Sequence, residues 1–153
     1  MIRDAGPDEM ELVGVLFREY ATSLGVDLEF QGFGHEVETL PGEYATEVKG
    51  AILLAWHEAA CHGCVALRAL DAELCEMKRL YVRPAARGLG AGRLLAEAVV
   101  RRAQDLGYRR MLLDTLPAMN EARALYRSLG FVETAPYRFN PIPGTSFLEL
   151  DLG

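Results

Sequence analysis

Apolar positions Met10, Leu12, Val13, Leu16, Phe17 and Tyr20 recur with helical period. They follow Pro7-Asp8-Glu9, a proline and two acids of the kind that open a first helical turn. The pattern predicts a helix ending near Gly25, preceded by a short strand at residues 2 to 5. From residue 51 the period changes to that of strands: 51 to 56 form a buried strand, 57 to 60 a turn, and 61 to 70 return antiparallel. Asp71-Ala72-Glu73 then turns the chain into a third strand, 74 to 82.

A helix is expected from residue 90 or 91 to 106, with Leu94, Leu95, Ala98, Val99 and Ala103 on one face and Gly107 at its end. Residues 109 to 114 hold Met111, Leu112 and Leu113 in a row, as in a parallel strand buried on both faces. Pro117 is expected to open a further helix, to Leu129, stopped by Gly130. Residues 131 to 134 and 146 to 152 read as a closing antiparallel pair, joined by a link, 135 to 145, with three prolines and Gly144. Residues 26 to 50 carry the weakest pattern, with a short helix expected at 33 to 40 and stopped by Pro41-Gly42. That stretch holds Asp27, Glu29, Glu36, Glu38, Glu43 and Glu47 against one cation, Lys49.

At 153 residues the chain fits a single domain, 1 to 153, with a real core. Half the residues are hydrophobic and a quarter charged, the composition of soluble globular proteins. No apolar run approaches the roughly 18 residues of a membrane span, and no charged-then-apolar N-terminus suggests export, so a cytoplasmic protein is expected. The three cysteines argue against a disulfide framework. Cys61 and Cys64, three apart on a strand, are expected on opposite faces, wrong for a shared metal, and no second pair completes a tetrahedral site. Buried, inert thiols and no metal are the reading.

The net charge of −6 argues against nucleic acid as a general partner. Residues 76 to 110, however, carry nine Lys/Arg against three Asp/Glu, which makes that segment +6 and the remainder −12. Arg101 and Arg102 read as solvated helix residues, but the rest forms a positive zone suited to a ligand with several phosphates.

At the centre of that zone lies Leu80-Tyr81-Val82-Arg83-Pro84, then Arg87-Gly88-Leu89-Gly90-Ala91-Gly92-Arg93. Glycines let backbone N–H groups approach a ligand closely, and the first amides of a helix have no partner within it. A loop of this kind is suited to a pyrophosphate. A Rossmann dinucleotide site fits poorly, because the third fingerprint glycine would fall on Arg93 and the loop follows an antiparallel meander. A P-loop lacks its Gly-Lys-Ser/Thr.

The run from Arg87 to Gly92 resembles the acyl-CoA binding signature of the GNAT N-acetyltransferase superfamily, Gln/Arg-x-x-Gly-x-Gly/Ala. A second stretch, Ala122-Arg123-Ala124-Leu125-Tyr126-Arg127-Ser128-Leu129-Gly130-Phe131, is similar to that family's A-x-x-L-Y-x-x-x-G-F. The family's frequent Asn seven residues before the Tyr is here Met119, with Asn120 one step late.

The resemblance implies an α/β (α+β) acyl-CoA N-acyltransferase fold: a mixed central sheet of about seven strands, splayed between the fourth and fifth, with about four helices. It implies acetyl-CoA as cosubstrate and direct transfer of the acetyl group to a primary amine, on a small molecule or peptide. Leu80, Tyr81, Val82 and residues 87 to 93 (Arg87, Gly88, Leu89, Gly90, Ala91, Gly92, Arg93) are then expected to hold CoA, the Leu80 N–H facing the thioester carbonyl across a bulge in the strand. Tyr126 is the expected general acid and Glu76 the expected base, with Asp114 as its competitor. An exposed strand acid balancing Lys78, and a core aromatic, are the alternatives for Glu76 and Tyr126. Tyr81 and Tyr137 are further candidates to line the acceptor pocket. If the acidic stretch 26 to 50 overhangs the site, Glu36 and Glu38 would favour a cationic amine. A non-catalytic acyl-CoA-binding regulator of the same fold is the alternative function, and dimers are common in such proteins.

Overall fold

The computed structural model describes residues 1–153. Its elements follow in the order β1 (Ile2–Asp4), α1 (Met10–Leu24), α2 (Phe33–Glu38), β2 (Ala51–His57), β3 (Ala60–Ala69), β4 (Leu74–Val82), α3 (Ala91–Asp105), β5 (Arg110–Thr115), α4 (Asn120–Ser128), β6 (Val132–Glu133) and β7 (Ser146–Asp151). The seven strands form one sheet in the order β1-β2-β3-β4-β5-β7-β6. Every neighbouring pair is antiparallel except β4–β5. This is the mixed, four-helix architecture that the sequence implied.

The sheet has a core on each face. Val65, Leu67, Cys75, Met77, Met111 and Leu113 pack toward α3 and α4, whose Leu95, Val99, Ala103 and Tyr126 complete that layer. Leu54, Cys64, Ala66 and Tyr81 face α1, which buries Val13, Leu16 and Phe17. Phe33 and Val37 of α2 join that second layer. The helical period of α1 thus did what it promised, and Gly25 ends the helix in the left-handed conformation at φ 67°.

Four local expectations need correction. The α4 helix starts at Asn120 rather than Pro117, because residues 116 to 119 form a separate turn closed by Met119 N–H on the Leu116 carbonyl (3.1 Å). On α3, Leu94 is 54% exposed and Ala96 is buried in its place. Arg102 is not simply solvated, since it forms a bidentate pair with Asp4 at 2.6 and 2.8 Å. Finally, Cys61 and Cys64 lie in the same core layer. Ala55 pairs with Gly63 but Trp56 with Cys61, so His62 is an extra residue and the alternation slips by one there. Both thiols remain free, and burial pushes both up, away from the thiolate form.

Two irregularities shape the centre of the sheet. The β4–β5 ladder covers only Leu74, Cys75 and Glu76 against Arg110, Met111 and Leu112, and beyond Glu76 the two strands no longer pair. On the other side of β4, Cys64 pairs with Tyr81 and Ala66 with Lys78, which leaves Val65 facing both Arg79 and Leu80. Arg79 takes the strained left-handed backbone at φ 60°. The bulge shifts the alternation, so Glu76, Lys78, Arg79 and Tyr81 all reach the α1–α2 side while Leu80 and Val82 pack toward α3.

Candidate active site

The glycine loop begins where β4 ends. Gly88 and Gly90 have φ of 82° and 83°, values at which a Cβ would be strained, and Gly90 is the N-terminal cap of α3. Within the chain, the N–H groups of residues 88 to 93 donate to no acceptor; the first helical bond is Leu94 N–H to the Gly90 carbonyl, at 3.1 Å. Six consecutive amides are therefore available at the positive end of a 15-residue helix. Arg87 through Gly90 are exposed. The Arg87 Nε donates to the Val82 carbonyl (3.1 Å), and Arg93 donates to the Ser128 hydroxyl (2.6 Å), so α3 is tied to α4 beside the loop.

Tyr126 of α4 lies in the core layer against which Leu80 and Val82 of β4 pack. Its ring is 4% exposed and packs on Phe131, with centroids 5.6 Å apart. Burial raises the Tyr126 phenol, and the charges of Tyr20 and Asp114 push it the same way, so it holds its proton at neutral pH. Asp114 lies near the C-terminal end of β5 and accepts a hydrogen bond from Asn140 Nδ2 at 3.1 Å. Asn120 is exposed at the first position of α4.

Glu76 occupies the last rung of the β4–β5 ladder and is wholly buried. Arg68 Nε and Arg138 Nη2 donate to its Oε1 at 2.7 and 2.6 Å, and the Tyr137 hydroxyl donates to Oε2 at 2.5 Å. Burial alone would raise this carboxyl. The charges of Lys78, Arg138 and Arg68, with the Tyr137 hydrogen bond, outweigh burial and hold it below the usual carboxylate range. It is thus not the exposed strand acid that the alternation of β4 allowed.

Two acids of the acidic stretch, Glu36 and Glu43, are engaged by arginines of the sheet. Glu36 holds Arg79 bidentately, both bonds at 2.9 Å, and Arg79 also stacks between Tyr20 and Phe33. Glu43 binds Arg68 at 2.6 Å. Gln31 Oε1 accepts from both Lys78 Nζ and Arg79 Nη1 at 3.0 Å. Glu38, by contrast, is exposed. Tyr81 turns its ring to the α1 side, where its hydroxyl donates to Glu19 at 3.2 Å.

Leu80 and Val82 pack against the core layer that holds Tyr126, and the 87–93 loop is tied to α4 through Arg93 and Ser128; the structure also adds residues that sequence reasoning passed over. Gln31, Arg68, Arg138 and Asn140 come from a weakly patterned stretch, a strand and the proline-rich link. Only the link's position between two paired strands hinted that it returns to the sheet.

This splayed sheet with its glycine loop is the acyl-CoA N-acyltransferase architecture. It overlays a GNAT-family acetyltransferase of Staphylococcus aureus Mu50 with a TM-score of 0.82 at 19% identity, covering 100% of this chain and 99% of the other. A phosphinothricin acetyltransferase from Sinorhizobium meliloti, solved in complex with acetyl-CoA, overlays with a TM-score of 0.76 at 24% identity, covering 100% and 88%. In sequence, the acetyltransferase (GNAT) family model matches residues 17–131. An uncharacterised N-acetyltransferase of Schizosaccharomyces pombe is 38% identical over 148 residues, 95% of this chain and 90% of the relative. The IAA acetyltransferase of Azospirillum brasilense is 36% identical over 103 residues, 65% of this chain and 67% of the relative. The chain belongs to the acetyltransferase (GNAT) family.

Proposed function

We propose that this protein is an acetyl-CoA-dependent N-acetyltransferase that moves the acetyl group to a primary amine by direct attack in a ternary complex. The observation that carries the proposal is the run of free amides at residues 88 to 93, placed at the mouth of the β4–β5 opening. Those amides fit a pyrophosphate, and Arg87 and Arg93 add charge that can pair with phosphate. Arg87 must leave the Val82 carbonyl to do so, which frees that carbonyl for the pantetheine amide. The edge of β4 beyond Glu76, with Leu80 and Val82, then accepts pantetheine as an added strand would be accepted.

Acetyl-CoA supplies the thioester when bound, and this chain's residues do the rest. The Leu80 N–H, at the bulge, donates to the thioester carbonyl oxygen, a donor of a kind worth about 3 kcal/mol in the transition state. Tyr126 keeps its proton at neutral pH and delivers it to the departing thiolate. For proton removal from the acceptor ammonium, the geometry favours Asp114 over Glu76. Three donors stabilise the Glu76 anion and lower its drive to take a proton, whereas Asp114 carries one hydrogen bond and lies where Tyr126 feels its charge. Glu76 instead orders Arg68, Tyr137 and Arg138 around the acceptor side.

A thiol-release assay over an amine panel tests the reading. Acetyl-CoA-dependent turnover of an amine, lost in Tyr126→Phe, is the expected result. Tight acetyl-CoA binding with no turnover of any amine would favour a regulatory acyl-CoA-binding protein.

A further inference from the structure

We propose that Lys78 recognises a carboxylate on the acceptor, so that the amine acetylated here is one carrying a single carboxylate, as an amino acid does. The inference rests on the acetyltransferase reading above and names the acceptor class for the same site.

Four cations, Arg68, Lys78, Arg79 and Arg138, meet three carboxylates, Glu36, Glu43 and Glu76, on the α1–α2 side of β4. Arg68 pairs with Glu76 and Glu43, Arg138 with Glu76, and Arg79 with Glu36, all at 2.9 Å or less. Lys78 alone has no carboxylate within pairing distance. Its ammonium donates only to Gln31 Oε1, at 3.0 Å, although the residue is just 8% exposed. An ammonium has three donors, so two are left without a protein acceptor in a place with little water.

Burial, and then the like charge of Arg79, push Lys78 down to about 7, against the opposing pull of Glu76. Such an amine gains most from a partner anion. Its place on the strand is also suited to recognition. Lys78 lies two residues beyond the last β4–β5 pair and next to the Arg79–Leu80 bulge. At about 3.3 Å per residue, its Cα is roughly 7 Å or less from that of Leu80, the residue assigned to the thioester carbonyl.

Charge complementarity points the same way. An acceptor attacks as its free amine, and with one carboxylate it then carries a single negative charge, matching the one unpaired cation of the network. A polyamine or other multiply cationic acceptor would meet Lys78, the one cation without a carboxylate partner, with like charge. Glu36 and Glu43 give it no welcome, because both are already bound to arginine.

The test uses the full-length protein, acetyl-CoA, the common amino acids and short ω-amino acids, each matched with its carboxamide and its decarboxylated amine. At least one carboxylated acceptor is expected to exceed its matched amide by about 100-fold or more in kcat/KM, because an amide leaves the buried cation unpaired. In Lys78→Met that ratio should collapse toward one, chiefly through a rise in KM for the acid, with acetyl-CoA binding by calorimetry as the control for an intact fold. Lys78→Arg should recover part of the preference. Amides or plain amines turned over as well as the acids by the wild-type protein would overturn the assignment, as would bound acetyl-CoA with no acid acetylated. Absence of acetyl-CoA binding by the folded wild-type protein would instead strike the acetyltransferase reading itself.

Discussion

The Tyr137 hydroxyl lies 2.5 Å from Glu76 Oε2, and this bond fastens the proline-rich link between β6 and β7 to the first part of β4. Arg138 adds a second tie to the same carboxylate, and Asn140 a third to Asp114 on the neighbouring strand. The link thus bridges the two strands whose separation forms the opening. A segment with no regular structure of its own is held against the sheet because one buried acid, Glu76, and one partly buried acid, Asp114, give it fixed anchors.

Glu76→Gln should cost about 3–5 kcal/mol of folding stability, since it leaves Arg68 and Arg138 facing a neutral amide in a buried site. Urea denaturation of the two proteins measures this. A loss under about 1 kcal/mol would show that the network contributes no more than surface pairs do.

Acid titration gives the same residue a second signature. The Glu76 carboxyl is held lower in the folded protein than in the unfolded chain, where a glutamate titrates near about 4.3. Its contribution is therefore complete above that value and is lost as the pH falls through the folded value. Wild-type stability should fall more steeply below about pH 4 than that of Glu76→Gln, and parallel curves would contradict the assignment.

Asp114→Asn should lower kcat by about 100-fold or more, in the range for loss of a general base, with melting nearly unchanged. If kcat holds in Asp114→Asn and falls in Glu76→Gln, the base is Glu76.

Tyr126→Phe retains the ring that packs against Phe131 and removes only the phenol proton. Turnover should drop about 100-fold while acetyl-CoA affinity and thermal unfolding hold. Unaltered turnover would leave Tyr126 as a core aromatic alone.

Gly90→Val forces a β-branched residue to φ 83° at the head of α3. The strain is worth about 1–2 kcal/mol of stability. The larger effect is expected on acetyl-CoA, whose affinity should fall at least about tenfold as the amides lose their alignment.

The elements around the opening were legible because each had a local cause: strand alternation to Val82, Pro84, then glycines ahead of an amphipathic helix. Tyr126 was legible through its own motif. A bulge within the strand at 74 to 82 was expected from family resemblance, but its place at Arg79–Leu80 was not, and nothing in Lys78-Arg79-Leu80 marks a positive φ on an arginine. The face assignment of Cys61 and Cys64 failed where β3 slips register at His62, because one extra residue inverts every later side chain. The partners of Glu76 were hidden for another reason. Arg68 and Arg138 are 70 residues apart in the chain, and only the folded sheet brings their guanidinium groups to one carboxylate.

Calorimetric titration of the folded wild-type protein with acetyl-CoA tests the central claim, that the amides of residues 88 to 93 grip its pyrophosphate. A stoichiometric, saturable heat that weakens at least about tenfold in Gly90→Val is the expected outcome. A protein that shows a cooperative melt and yet takes up no acetyl-CoA would contradict it.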